Sequence, residues 1–372
     1  MLTPMIPHLR LLLLLLLLTS PALGQHPDTL CRKIAEHFKG GAYPAVLIGY
    51  ADGYMSFSQA FGLADSASQK PLQPDDLMMS GSTGKIVVSA AVLKLVSQNR
   101  LELDAPISRY LKGEWAQLTP NYNCLTVRQL LQHRTGLARY IFTGFKEDVK
   151  LNPDKVWTPQ ERIRYVSAAK PLFSCGSAFA YSDTNYILLG AIIEEVTKQP
   201  FYTYAEKEIL APLQLHSFTP TTQRSIEGLA NGYAGTKDPL GFTGETLDAS
   251  GKSRYNMQFE WTGGGYAYNP EDMAKLMLAI FNGKVFGKEL LADYTATLPA
   301  PEVGAEYGLG IMKYTLNGKT LYGHSGFFPG YIAQVYYDPE KRAAYVFQIN
   351  TTQPNGTQDM YGRIKSFFQE VI

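Results

Sequence analysis

Ser82 and Lys85 stand three positions apart in Ser82-Thr83-Gly84-Lys85, at the head of a run, Ile86-Val87-Val88, that turns apolar at once. On a helix that spacing sets the hydroxyl and the amine side by side on one face. A serine hydroxyl is a poor nucleophile until a base takes its proton, and a lysine can serve once burial and neighbouring cations favour its neutral form. The start of a helix adds unpaired N–H groups and a positive dipole end, both suited to an oxyanion. The spacing alone is common, because Ser167-Ala168-Ala169-Lys170 repeats it. Nor is the first copy a nucleotide loop: Met79 stands where a glycine is needed, and Ile86 where Ser or Thr would meet magnesium.

Two further clusters could complete an acyl-transfer site. Tyr181-Ser182-Asp183 directly precedes the apolar stretch Asn185 to Val196, where a phenol could relay protons. Cations such as Lys85 are expected to favour its phenolate. His324-Ser325-Gly326 closes a strand-like run before Phe327-Phe328-Pro329-Gly330, and Gly326 would let a substrate backbone approach the strand edge.

These residues need elements to hold them. Ala45 to Tyr50 and Tyr54 to Phe61 read as strands joined around Asp52-Gly53, a tight-turn dipeptide. Lys85 to Val96 is apolar nearly all round and reads as a buried helix. Helices are expected over Leu30 to Phe38, Thr126 to Gln132, Pro159 to Ala168, Asn185 to Val196, Tyr202 to Ile209 and Pro270 to Phe281. Residues 230–260 are glycine-rich and read as loops over a cleft. Strands follow at Tyr307 to Tyr314, Lys319 to Tyr322, Gly330 to Tyr337 and Ala343 to Ile349, the last two joined across Asp338-Pro339-Glu340-Lys341. A closing helix places Met360, Ile364, Phe367, Phe368 and Val371 on one face. The order implies an α/β (α+β) protein: an antiparallel sheet flanked by N- and C-terminal helices, with an inserted helical domain and a cleft between the parts.

Composition narrows the function. The 34 basic and 33 acidic residues leave a formal charge of +1, so no field gathers nucleic acid or anionic lipid. No His-Glu-x-x-His or His-x-His pair suggests a metal, and nothing calls for a cofactor. Arg10, the leucines 11–18 and the small-residue site ending at Ala22-Leu23-Gly24 read as a cleavable signal peptide over residues 1–24, too short in its apolar run to span a bilayer. The mature protein is then expected in the periplasm or outside the cell, with no membrane span after cleavage. Cys31, Cys124 and Cys175 permit at most one internal disulfide, and any pair is open. The oligomeric state cannot be read.

In this order and on these elements, the three clusters resemble the Ser-x-x-Lys, Tyr-x-Asn and Lys/His-Thr/Ser-Gly boxes of serine β-lactamases and penicillin-binding proteins, above all the class C β-lactamase, D-alanyl-D-alanine carboxypeptidase and esterase branch. His133-Arg134-Thr135-Gly136-Leu137 is similar to the family's His-Thr-Ser-Gly-Leu loop, and Thr262-Gly263-Gly264-Gly265 with Asp272 to its Gly-Gly box. The likeness spans nearly all of the mature chain. It implies a sheet domain from 25–88 and 230–372, a helical domain from 89–229, and one catalytic unit made of both.

It also implies roles: Ser82 as nucleophile, Lys85 as its activator, Tyr181 passing the proton to the leaving atom, and His324 in the cationic position, with Ser325 and Gly326 beside it. The N–H groups of Ser82 and Phe327 would form the oxyanion hole. Two residues depart from the pattern. Asp183 replaces the usual Asn with an acceptor-only carboxylate, which would favour a protonated Lys85 and make Tyr181 the better base. His324 replaces the lysine of true β-lactamases and carries charge conditionally. Both point away from an efficient drug-resistance enzyme and towards a peptidase or esterase, within a serine hydrolase that would cleave amide or ester bonds in D-Ala-D-Ala-type peptides, β-lactams or small esters. A strict β-lactamase and a penicillin-binding sensor that acylates without turnover are the alternatives.

Overall fold

The computed structural model describes residues 33, 36, 44–353 and 357–371. The expected signal peptide and the expected helix over Leu30 to Phe38 lie outside this range, save two isolated positions. Strand β1 (Ala45–Ala51) returns as β2 (Ser56–Asp65). The turn forms where the Asp-Gly pair indicated, because Asp52 Oδ1 accepts the N–H groups of Tyr54 and Met55 at 2.7 and 2.8 Å. After β3 (Lys70–Pro71), the buried helix α1 (Lys85–Ser97) is enclosed from Lys85 through Leu93, as its all-round apolar sequence requires. Helix α2 (Asp183–Thr197) packs on it, and α3 (Pro270–Phe281) begins where Asn269 caps the chain and Pro270 occupies the first turn.

The C-terminal third supplies β4 (Leu298–Ala300), β5 (Ala305–Tyr307), β6 (Met312–Leu316), β7 (Lys319–Phe328), β8 (Tyr331–Asp338), β9 (Ala343–Ile349) and α4 (Thr357–Val371). All nine strands join one antiparallel sheet in the order β3-β2-β1-β9-β8-β7-β6-β5-β4. Register is set by the core pairs, with Val46 opposite Ile349 and His324 opposite Val335. Ile364, Phe367 and Phe368 of α4 cover one face against Val46, Ile48, Tyr336 and Phe347. Helix α3 covers the other, so β9 is buried along its whole length. Each large apolar side chain buried this way contributes about 1.5–3 kcal/mol.

Two strands differ from the sequence expectation. The run Tyr307 to Tyr314 is a hairpin, since Gly310 takes φ +82° and lets Tyr307 pair with Met312. The run Lys319 to Tyr322 continues to Phe328, because Gly323 and Gly326 pair in the sheet interior instead of ending the strand.

Between α1 and α3 the chain is largely helical and loop-rich. Val127–Leu131 and Pro159–Arg164 each start on a capping box, Thr126 with Gln129 and Thr158 with Glu161. Phe201–Ala205 runs into a wide turn over Glu206–Leu210, and residues 230–260 hold only short strands and turns. Cys124 pairs with Cys175 across 51 positions, with Cα atoms 6.0 Å apart. Among the described residues, no helix is long and apolar enough to cross a membrane.

Candidate active site

Ser82 lies in a tight turn, Gly81–Gly84, that leads into α1, and it is half-exposed at the cleft while Lys85 is fully buried. Gly81 has φ +47°, and a Cβ there would collide with the backbone of Phe327. Only glycine lets the nucleophile's turn lie against the edge of β7, which brings the backbone of Ser82 alongside Phe327. Gly326 serves the same approach, since a Cβ on it would collide with the Ser80 carbonyl. Its small size is thus required by the protein's own turn.

Lys85 Nζ has three polar partners: Ser82 Oγ at 2.9 Å, Asp183 Oδ1 at 2.8 Å and the Gly263 carbonyl. The carboxylate and the carbonyl only accept, so they consume two N–H groups whatever the protonation state. The remaining tetrahedral position points at Ser82. It is an N–H in the ammonium and a lone pair in the amine, which places the one exchangeable proton of Lys85 on the nucleophile.

Asp183 opens α2 and faces the helix's positive end. Its Oδ2 accepts from Arg139 Nε and Nη2 at 3.0 and 2.7 Å. Burial pushes its carboxyl upward, but Arg139 and Lys85 outweigh burial and hold it below the ordinary carboxylate range. Arg139, with a side chain 37% exposed, was missed in the sequence reading; it follows the His133–Leu137 loop and carries no local signal. Its guanidinium also lies over the rings of Phe142 and Tyr181, at 4.7 and 5.4 Å from their centroids.

Tyr181 is buried with its ring 5.1 Å from Lys85 Nζ. Among the described residues its hydroxyl makes no hydrogen bond of full geometry, although the Ser82 hydroxyl is its polar neighbour. Burial and the Asp183 carboxylate push the phenol well above its ordinary value, outweighing Ser82 and Arg139. The expectation that cations would favour phenolate is therefore corrected: Tyr181 stands as a phenol with a proton to give.

His324 is corrected as well. It does not supply a cation to the cleft but is fully buried and turned into a relay. Its Nδ1 faces the Ser325 carbonyl at 2.6 Å, which assigns the proton to Nδ1 and leaves Nε2 to accept from Tyr307 Oη at 2.8 Å. Tyr307 Oη in turn meets His133 Nε2 at 3.2 Å. His133 Nδ1 accepts from the Ser182 N–H at 3.2 Å and from Asn185 Nδ2 at 3.0 Å, so its proton is on Nε2. Burial and then Lys85 push both histidines down, His324 to about 3 and His133 well below its ordinary value. The His133 ring also lies 4.2 Å from that of Tyr181, backing the phenol. Ser325 and Phe327 alternate to the half-exposed side of β7, with Ser325 Oγ 3.9 Å from Met312 Sδ.

Ser82, Lys85, Tyr181 and Asp183 thus converge, with Phe327 and Gly326 alongside. Among the described residues, Ser167 Oγ bonds the Arg164 carbonyl and joins no such cluster. Among the described residues, no group of His, Cys, Asp and Glu is placed to hold a metal ion.

A large antiparallel sheet with packed helices, and a serine–lysine pair heading a buried helix between them, define a serine hydrolase of the penicillin-recognising architecture. The sequence pattern of the Beta-lactamase family matches residues 31–365, and the chain belongs to that family. Teichoic acid D-alanine hydrolase of Staphylococcus aureus is 23% identical over 352 residues, 93% of this chain and 78% of that protein. Esterase EstB of Burkholderia gladioli is 30% identical over 179 residues, 45% of each. Among solved structures, D-amino acid amidase from Ochrobactrum anthropi SV3 superposes with a TM-score of 0.78 at 23% identity, covering 92% of this chain and 97% of that one. D-stereospecific amidohydrolase from Streptomyces sp. gives 0.74 at 25%, covering 88% and 94%.

Proposed function

We propose that this protein hydrolyses small amide or ester bonds beside a D-amino acid through an acyl-enzyme on Ser82. The observation that carries the reading is the arrangement of Lys85, whose two pure acceptors leave its exchangeable proton position on Ser82 Oγ. Lys85 as the amine takes the serine proton while Oγ attacks the carbonyl. The N–H groups of Ser82 and Phe327 receive the developing oxyanion, at about 3–4 kcal/mol per donor. The Tyr181 phenol gives its proton to the departing nitrogen or oxygen, and water then clears the acyl group.

With His324 neutral, Arg139 is a cation available to substrate. Its Nε and Nη2 are committed to Asp183 while its Nη1 edge has no hydrogen-bond partner among the described residues, which suits a substrate carboxylate or carbonyl. The D-amino acid is supported by what the relatives' names describe: a D-alanine hydrolase, a D-amino acid amidase and a D-stereospecific amidohydrolase. Action outside the cytoplasm is supported by the signal-like residues 1–24 and by the Cys124–Cys175 disulfide, a bond that persists in oxidising compartments.

Covalent labelling by a fluorescent fluorophosphonate tests this reading. Ser82→Ala is expected to abolish it and Ser167→Ala to leave it unchanged; undiminished labelling of Ser82→Ala overturns the assignment. A D-Ala-D-Ala peptide, an aryl ester and a chromogenic cephalosporin, compared on the mature protein, resolve the bond cleaved.

A further inference from the structure

The site holds a second acid that the reading above does not use. Glu260 is 7% exposed, and its Oε2 is enclosed without a hydrogen-bond partner among the described residues. It precedes the short turn Trp261–Gly263 yet makes no capping hydrogen bond to it, and it forms no ion pair among the described residues. A structural carboxylate would be satisfied in one of these ways.

Its position is nevertheless tightly built. Fully buried Arg162 donates to the carbonyls of Gln258 and Phe259 at 2.8 and 3.2 Å, and Tyr140 Oη donates to Phe259 O at 2.8 Å. The next residue, Trp261, is held at φ +43°, a conformation costly for a bulky side chain and one that accumulates at functional sites. The chain then gives the Gly263 carbonyl to Lys85, and Gly264 packs on Gly81, the residue before the nucleophile. A Cβ on Gly264 would lie 3.1 Å from Glu260 Oε2, which places the carboxyl on the strip that abuts Ser82.

The charges facing Glu260 are the cations Lys85 and Arg139 and the anion Asp183. The phenols of Tyr140, Tyr181, Tyr202 and Tyr361 also feel it. Burial raises its carboxyl to about 8, with Lys85 opposing and Asp183 assisting. An acid of that strength is matched to proton transfer near neutrality.

We propose that Glu260 is the base of the hydrolytic half-reaction, taking a proton from the water that attacks the Ser82 acyl-enzyme. The proposal rests on the Ser82 acyl-enzyme reading. Asp183 is held anionic by two cations, and Tyr181, whose phenol is pushed well above its ordinary value, recovers from Lys85 the proton it gave the leaving group, so neither is a free acceptor at neutral pH. In the step, the water oxygen bonds to the ester carbonyl carbon as its proton passes to the Glu260 carboxylate. The tetrahedral intermediate then expels Ser82 Oγ, which takes its proton from Tyr181, and the proton held by Glu260 passes on to Tyr181 to restore the phenol. The product leaves as a carboxylate with its acid proton lost to solvent, and Lys85, Tyr181 and Glu260 are back in their starting states.

The test is p-nitrophenyl acetate turnover with rapid mixing and intact-mass detection of acetyl-enzyme, across pH 6–9.5, in wild type, Glu260→Gln and Glu260→Asp. Glu260→Gln should acylate at a rate near wild type but deacylate about 100-fold more slowly, so the acetyl-enzyme accumulates. Wild-type deacylation should rise through about pH 8. That limb should vanish in Glu260→Gln and persist in Glu260→Asp, which keeps the carboxyl. Equal deacylation with an unchanged pH profile in folded Glu260→Gln overturns the proposal, as does loss of the limb in neither or both variants. Absence of any Ser82 adduct in wild type, with turnover surviving Ser82→Ala, instead defeats the acyl-enzyme reading itself.

Discussion

Asp183 Oδ1 holds Lys85 Nζ at 2.8 Å, inside the distance at which a carboxylate governs a neighbouring ammonium. The second oxygen is bound by Arg139, so one anion serves two cations.

Replacing Asp183 with Asn keeps an acceptor for Lys85 but removes the charge and turns an amide donor toward Arg139. The proton-handling groups then lose a neighbouring anion, and the acidic limb of the acylation pH profile should move to lower pH. Stability should fall by about 3–5 kcal/mol, because two buried or part-buried cations lose their counter-charge. Adding Tyr181→Phe separates the two proton carriers: a shift that survives in the double variant belongs to Lys85. An unmoved limb in folded Asp183→Asn would make the carboxylate a purely structural feature.

Arg139→Gln should discriminate among substrates. Loss of the uncommitted Nη1 edge is expected to raise KM about 10- to 100-fold for acyl donors bearing a carboxylate, in line with a charge-assisted hydrogen bond of about 1.5–3 kcal/mol. Neutral aryl esters should lose less. Equal losses for both kinds of substrate would assign Arg139 to holding Asp183 alone.

The histidine relay sets a pH dependence of stability. His324 and His133 are neutral in the fold but bind protons when unfolded near the ordinary histidine value. Stability from this source is therefore full above about pH 6.5 and lost on acidification toward 3, at up to about 1.4 kcal/mol per pH unit for each ring. Glu260, raised to about 8, works in the opposite direction, its contribution being lost as pH rises from its unfolded value through 8. Denaturant titrations at pH 4.5 to 8.5 should show a slope reduced at the acid end in His324→Gln and flattened at the alkaline end in Glu260→Gln. Identical slopes in wild type and His324→Gln would mean that His324 titrates normally.

The Cys124–Cys175 bond ties Asn121, which donates to the carbonyls of Thr135 and Phe173 at 3.0 and 3.2 Å, to the far side of its loop. That region backs the loop bearing His133 and Arg139. Closing a loop of this length stabilises the chain by about 4 kcal/mol. Reduction, or Cys124→Ser, should lower unfolding free energy by an amount of that order while Ser82 still takes a covalent label in the folded fraction; an unchanged denaturation midpoint would contradict it.

The sequence by itself determined the parts whose signals are local. Asp52-Gly53 makes its own turn, α1 is apolar on every side, Asn269-Pro270 caps α3, and Ser82 and Lys85 are neighbours through helical spacing alone. Gly310 and Gly326 misled because a glycine reads the same whether it ends a strand or admits a neighbouring backbone, and only packing against Ser89 or Ser80 tells which. The charge states of His324 and Tyr181 were decided by tertiary structure, since burial and the placement of Lys85, Asp183 and Tyr307 come from segments far apart in the chain. Arg139 and Glu260 were silent for the same reason. An arginine after a loop and a glutamate before a glycine run have no periodicity to betray them, and they acquire meaning only when the sheet and helices close around Asp183 and Lys85.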